Sequence, residues 1–389
     1  MLVAGCSKIL GIGNLQTAAD AASIDGGGID AHMTACASLG SNLAVSSFSY
    51  GMATSFGDAA CAMFADPAAM PIALNGDSFT LDTTHVGGGT ATLDGATAVT
   101  VDGQSATALT GLGSIDLAFI VATSFTLGSG ATIAASGSNP LVILASGPIE
   151  IDGVLSISAP VIGVSPCMIG PAGFPDPGKG GGGGTGGAYQ GGGAGGGASA
   201  NGELTASSAG VTSVYFPYPG CTGGPGAGGG TTQAMPGGGI YLVSLASITI
   251  ASTGGIDAGG SGGPVEVTAL AGGAGGASGG TIMLETPTIN NLGTIAANGG
   301  GGAGGEPENL SATPGQNGRL SASAASGGTG MAGMGDGGDG AADVGPVIGG
   351  SAVGSNVGAG GGGGGVGYIL VHSGSPITGT TSPAVTAVP

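Results

Sequence analysis

The chain has 389 residues, of which 94 are glycine and 21 are proline, and three basic residues against 22 acidic ones give a net charge of −19. Three cations cannot neutralise a phosphate backbone, so this composition excludes nucleic acid as a partner and disfavours anionic membrane surfaces. Disordered chains combine low hydrophobicity with high charge. Here only 6% of the residues are charged and the mean hydropathy is +0.43, so we expect a buried core.

The first residues contain a short motif for lipid attachment. Val3-Ala4-Gly5-Cys6 resembles the bacterial lipoprotein box, in which the cysteine is acylated and becomes the new N-terminus. The resemblance implies lipidation of Cys6, membrane contact through the lipid alone and, from Ser7, sorting to the outer membrane. The basic and apolar segments that precede such a box are nearly absent, so we expect translation to begin upstream of Met1. Residues 1–35 are predicted to form this box and a tether.

Four further cysteines are Cys36, Cys61, Cys167 and Cys221. An even number suits disulfides in an oxidising compartment. Closeness in sequence favours the pairs Cys36–Cys61 and Cys167–Cys221, the second of which would close the base of a long glycine-rich excursion. Four reduced, buried thiols are the alternative. Residues 36–113 are predicted to be a cysteine-containing N-terminal β region.

From residue 114 a block recurs: strand, short turn, strand, glycine-containing turn, strand and glycine-rich loop. In one block, Ile149 and Ile151 flank Glu150, and Leu155 and Ile157 follow a glycine turn. Period-two alternation predicts strands with one buried face. Recurrence predicts an all-β chain with a parallel β-solenoid, or β-helix, over 114–374. A β-sandwich is the alternative fold, and 375–389 is predicted to be a Thr/Pro-rich C-terminal tail.

Long glycine tracts separate the blocks, at 178–202, 222–239, 254–263, 272–280, 299–305 and 327–365. Most leave a block after its last strand, so we expect the glycine-rich loops on one side of the solenoid. The sequence allows two predictions for these tracts. In the first they are flexible loops. In the second they pack together as extended left-handed polyglycine helices with polyproline II geometry that share backbone hydrogen bonds.

A wider resemblance rests on the first residues from Cys6 to Gly13, on Gly137–Ile157 and on Gly279–Leu284. These segments, with the glycine-rich loops between them, look like a group of uncharacterised glycine-rich lipoproteins of myxobacteria and their relatives. The resemblance covers the start of the chain and most of it from residue 114 onward. It implies a β-solenoid-like repeat on a lipoprotein, and it brings no known activity.

Enzymatic chemistry needs convergent side chains, and few candidates exist. Solenoid polysaccharide lyases and hydrolases combine clustered carboxylates with a nearby cation. Here Glu150 and Asp152 share a strand face, and Arg319 is the one cation in the C-terminal half. We therefore expect a non-enzymatic protein, with a carbohydrate-active solenoid enzyme as the alternative. Convergence of these three side chains would favour the enzyme.

The densest acidic run holds Asp336, Asp339 and Asp343. Calcium takes six to eight oxygen ligands, often carboxylates and backbone carbonyls of glycine-rich turns. The spacing matches neither the EF-hand loop nor the nonapeptide calcium repeat. Two interpretations of this run are open, a calcium-binding site and a solvated acidic loop. We expect no other cofactor.

Taken together, these features predict an exported, lipid-anchored protein of the outer membrane or cell surface. Its expected role is structural or adhesive, because the sequence supplies a repeated scaffold with no convergent catalytic group. The expected partners are extracellular matrix, surface polymers or neighbouring cells. Nucleic acid is excluded by the charge.

Overall fold

The computed structural model describes most of the chain after residue 70. The described residues are 71–83, 92–94, 98–100, 118–159, 169–174, 184–188, 190, 192–199, 207, 217–228, 232–265, 271–306, 312–331, 333–343, 345–346, 348–351 and 357–387. Every regular element among them is a β-strand. Within these ranges no helix is long and apolar enough to cross a membrane.

The described strands are short, and each has two to six residues. In chain order they are β1 (Ile72–Leu74), β2 (Ser78–Asp82), β3 (Thr92–Asp94), β4 (Ala98–Thr100), β5 (Ala118–Ala122), β6 (Phe125–Leu127), β7 (Thr132–Ser136), β8 (Leu141–Ala145), β9 (Ile149–Ile151), β10 (Val154–Ser158), β11 (Gly239–Ser244), β12 (Ile248–Ile250), β13 (Gly255–Asp257), β14 (Thr281–Thr286), β15 (Ile289–Asn291), β16 (Thr294–Ala296), β17 (Tyr368–Ser373), β18 (Thr380–Ser382) and β19 (Thr386–Ala387).

These strands stack into three sheets. Sheet A has the order β1-β6-β9-β12-β15, sheet B has β18-β16-β13-β10-β7-β2-β3-β4, and sheet C has β19-β17-β14-β11-β8-β5. All pairs are parallel except β2–β3 and β3–β4. From β5 to β16 the chain visits sheets C, A and B in the same order four times. This all-strand arrangement is consistent with a parallel β-helix, and it differs from the two antiparallel sheets of a sandwich.

The core is built from one face of each strand. Ile149 and Ile151 are fully buried, Leu155 and Ile157 join the same hydrophobic cluster, and Glu150 between the first two is exposed. The predicted period-two alternation is therefore confirmed in β9 and β10. Parallel pairing in register places like residues above one another, so that Ile149 lies between Phe125 and Ile248 in neighbouring strands. The stacked side chains form one continuous core.

Glycine marks the corners between sheets A and B. Gly130 has a φ of +78°, in the left-handed region that side chains disfavour. Gly153 has no positive φ, but a Cβ there would overlap the carbonyl oxygen of Ala131 in the strand stack. The corner glycines therefore let successive turns of the chain approach at strand spacing.

The stack extends beyond the predicted limits of 114 and 374. In front of it, β1 pairs with β6 and β2 pairs with β7. Behind it, the segment predicted as a tail supplies β18 and β19, and Ile377 and Val385 pack against the core. Residues on both sides of those limits thus belong to the same stacked body.

Candidate functional site

Three long insertions leave the stack at the same point of its circuit. They connect β10 to β11, β13 to β14 and β16 to β17, and each runs from sheet B to sheet C. Within them, glycine-rich segments lie side by side and exchange backbone hydrogen bonds. We call this arrangement the glycine lattice; its tracts are 184–187, 194–197, 220–227, 258–263, 271–280, 297–306, 312–318, 325–330, 335–341 and 358–367.

The hydrogen bonds of the lattice repeat every three residues. Three of the tracts beside the central tract 271–280 accept hydrogen bonds from its amides, and the amides that donate to any one of these tracts lie three positions apart. Gly272, Gly275 and Ser278 donate to tract 220–227, Gly273, Gly276 and Gly279 to tract 358–367, and Ala277 and Gly280 to tract 258–263. Three residues per turn is the period of polyproline II geometry. The described tracts are thus packed and bonded to one another, as the second of the two predicted states requires.

Close approach of the backbones explains the amino-acid choice. A Cβ on Gly276 would overlap the carbonyl oxygen of Gly300, and one on Gly302 would overlap that of Gly361. The alanines of the central tract lie three residues apart, and Ala271, Ala274 and Ala277 are all fully buried. The lattice therefore needs glycine at most positions for steric reasons, as the collagen axis does.

Side-chain oxygens complete the lattice at its margin. Asp336 accepts a hydrogen bond of 2.8 Å from the amide of Gly330, and Asp339 accepts one of 2.8 Å from Gly327. The two aspartates are spaced three apart, like the amides that they satisfy. Among the described residues, no group of three acidic, histidine or cysteine side chains that could hold a metal is found. The structure thus gives Asp336 and Asp339 a bonding role in the lattice and does not gather them with Asp343.

A buried polar group lies on the outer face of sheet C. Glu285 on β14 is 1% exposed. It accepts a hydrogen bond from the hydroxyl of Tyr241 on β11, and its other oxygen lies 3.3 Å from Nδ1 of His372 on β17. Burial, and then the charge of Glu285, hold the pKa of Tyr241 well above its ordinary value. This group joins three successive turns of the chain by side chains as well as by backbone.

A second perturbed carboxyl lies on the outer face of sheet B. Asp257, at the end of β13, accepts a hydrogen bond of 2.9 Å from the amide of Gly259. Burial raises its pKa to about 6, and the bond from Gly259 opposes that rise. Asp257 lies where β13 passes into the lattice, in a partly buried site that disfavours the charged form of its carboxyl.

An open cleft lies where the lattice meets the last turn of the stack. Its volume is about 540 Å³, and its polar lining comes from Gln190, Asp343 and Thr381. Apolar lining comes from Val366 and Pro383, among others. We call it the C-terminal cleft. It combines hydrogen-bonding groups with apolar surface, which is the general composition of ligand sites.

The structure does not bring together the side chains that would favour a carbohydrate-active enzyme. Glu150 lies on the outer face of sheet A. Arg319 donates to Gln316, and its carbonyl accepts from the side chain of Asn298, beside sheet B. No ion pair links Arg319 to Glu150 or Asp152, all three of which the structure describes.

Of the five cysteines, Cys221 is the one that lies among the described residues. Cys221 is buried and disulfide-bonded. Cys6, Cys36, Cys61 and Cys167 lie outside the described residues. The predicted pairings and the lipidation of Cys6 stay predictions.

Comparison of the chain with protein-family models, with curated proteins and with solved structures finds no match. Sequence patterns gave no sign of the group around Glu285 or of the C-terminal cleft, because their members come from distant parts of the chain. One local signal of the lattice was present, the three-residue spacing of Ala271, Ala274 and Ala277.

Proposed function

We propose that this chain is an exported, lipid-anchored surface protein with a structural or adhesive role and no catalytic activity. The observation that carries the proposal is the glycine lattice, a body held by backbone hydrogen bonds alongside stacked parallel sheets. Such a body fixes the position of exposed side chains over a broad surface, which is what a scaffold or an adhesive needs.

In this proposal the three sheets are the sides of a parallel β-solenoid, with the glycine tracts collected along one of its edges. The support is the repeated order of sheets C, A and B, together with the common exit point of the three insertions. Stacked repeats bury a continuous core while leaving side faces free for contact. The resemblance to glycine-rich myxobacterial lipoproteins agrees with this architecture.

Two cysteines support the proposal that the protein is exported and anchored. A disulfide at Cys221 suits an oxidising compartment, and the box at Cys6 offers a site for lipid. Anchored at the outer membrane or cell surface, the protein would contact extracellular matrix, surface polymers or neighbouring cells. The net charge of −19 keeps it from nucleic acid.

The proposal is tested in cells that carry the gene with its natural upstream region. A fatty-acid probe should label the wild-type protein and the Cys36→Ser control, but not Cys6→Ser. External protease should degrade the protein on intact cells, and deletion of the gene should reduce attachment to surfaces or to other cells. Equal labelling of all three proteins would reject the anchor, and unchanged attachment of the deletion strain would reject the adhesive role.

A further inference from the structure

The C-terminal cleft presents three polar side chains without a partner. Within the described residues, the side chains of Gln190, Asp343 and Thr381 make no hydrogen bond or ion pair. Asp343 is exposed and Thr381 is half-buried. Together they offer a carboxylate that accepts, an amide that donates and accepts, and a hydroxyl that does both. A ligand with several hydroxyl groups could use all three.

Apolar surface accompanies these groups. Val366 and Pro383 line the cleft together with Pro346 and the two alanines before Asp343. A carbon–hydrogen face can pack on such surface while the hydroxyls at its edge bond to the polar groups. The volume of about 540 Å³ falls in the range of about 300–1,000 Å³ that is usual for small-ligand sites.

The walls of the cleft are held by backbone bonds of the lattice and of the stack. The amide of Gln190 donates to Val366 at 3.1 Å, and that of Ala341 donates to Gly364 at 2.9 Å. The carbonyl of Ser382, between Thr381 and Pro383, accepts from Ala297 at 2.7 Å. These backbone bonds hold part of the cleft wall in place before a ligand binds, which reduces the ordering that a ligand must impose.

The negative charge of the cleft and of the whole chain favours a neutral ligand over an anionic one. The cleft carries the carboxylate of Asp343 and no described lysine or arginine, because Arg319, the one such residue in the described ranges, bonds to Gln316 elsewhere. The whole chain has a net charge of −19. An anionic ligand would meet like charge at close range and over the protein as a whole. A neutral ligand meets no such penalty.

We infer that the C-terminal cleft binds a neutral saccharide. The inference rests on the adhesive role proposed above and names the chemistry that this role would recognise. Sugar hydroxyls donate to Asp343 and exchange hydrogen bonds with Gln190 and Thr381, while the sugar ring packs on the apolar wall. The source is a free sugar or the end of a neutral surface polymer.

The test is calorimetric titration of the full chain with neutral trisaccharides of glucose, mannose and N-acetylglucosamine at up to about 10 mM, and with trigalacturonate as the acidic probe. At least one neutral trisaccharide should bind, and trigalacturonate should bind at least about tenfold more weakly. Asp343→Ala and Gln190→Ala should each weaken binding by about tenfold, whereas Asp77→Ala, at an exposed site in the first turn of the stack, should not. Asp343→Asn should narrow the difference between neutral and acidic probes.

Binding of the matching polymer on isolated cell walls, competed by the free trisaccharide, would identify the polymer as the source. Binding of the trisaccharide without binding to the cell walls would identify a free sugar. If no neutral saccharide binds, or if the cleft variants bind like the wild type, the inference is overturned. Surface attachment measured with the deletion strain tests the adhesive role separately and is not decided by either result.

Discussion

The amide of Gly276 donates a hydrogen bond of 2.9 Å to the carbonyl of Gly362. These residues belong to different insertions of the strand stack, one before β14 and the other before β17. Gly276 in turn accepts a bond of 2.8 Å from Gly187, in the first insertion. A single glycine thus connects all three insertions, and neither bond uses a side chain. The lattice is therefore a tertiary structure made by backbone groups, and it depends on steric access to them.

Adding one methyl group inside the lattice should destabilise the protein. In Gly276→Ala the new Cβ overlaps the carbonyl oxygen of Gly300, so a backbone must shift, at a cost of about 1–3 kcal/mol. The control is Gly345→Ala, because a Cβ at that position contacts nothing and the φ is not positive. The control should change the unfolding free energy by less than about 1 kcal/mol. Urea titration measures both, and equal stability of the two variants would contradict the packed lattice.

The register of the strands is tested at neighbouring positions of β9. Ile151 is fully buried, so Ile151→Ala should leave a cavity and cost roughly 2–5 kcal/mol. Glu150→Ala, on the outer face, should change stability by no more than about 0.5 kcal/mol. Denaturant titration of the two variants gives the comparison. A harmless Ile151→Ala would show that the stacked core is not formed by this face.

The strands could be predicted from the sequence, because alternation in β9 and β10 is a local pattern that burial of one face explains. The lattice could not be predicted in preference to flexible loops, because its hydrogen bonds join backbone groups, and the three-residue spacing of Ala271, Ala274 and Ala277 does not show which tracts those bonds join. Asp336 and Asp339 illustrate the point. The density of acidic residues in this run predicts calcium binding as one of two alternatives, and the structure shows that the spacing of the two aspartates follows the three-residue period of the amides from which they accept hydrogen bonds.

The polar group on sheet C could not be predicted from the sequence for a different reason. Tyr241 and His372 are 44 and 87 residues from Glu285. They meet only because β11, β14 and β17 stack in register, with the insertions leaving between the turns. A prediction of this contact needs the strand register and the length of each insertion, and glycine tracts give neither.

Removing the hydroxyl of Tyr241 should destabilise the protein and change its response to alkali. Tyr241→Phe takes a donor from the buried carboxylate of Glu285, at a cost of about 1–3 kcal/mol. The pKa of Tyr241 is raised above 10.0 by burial and by Glu285, so the folded state holds this proton more tightly than the unfolded state does. Its contribution to stability is therefore complete below pH 10 and is lost as the pH rises further. Thermal unfolding between about pH 8 and 11 should show a smaller alkaline loss in Tyr241→Phe. An unchanged alkaline slope would contradict this role.

Replacing Asp257 by a neutral residue should stabilise the protein near neutral pH, but not at about pH 4. The pKa of this carboxyl is raised from 3.8 to about 6 by burial, so the folded state binds the proton more tightly than the unfolded state. The resulting stability is complete below pH 3.8 and is lost as the pH rises through about 6, where a charge must be held in a partly buried site. Asp257→Asn removes that charge, and its amide oxygen still accepts the bond from Gly259. We expect the variant to gain about 1–3 kcal/mol at pH 7–8, from ~1.4 kcal/mol per pKa unit, and almost nothing at about pH 4. Urea titrations at both pH values measure the gain, with Asp77→Asn as the control, because Asp77 is exposed and its variant should follow the wild type throughout. A gain of equal size at both pH values would assign the effect to packing and not to the buried charge.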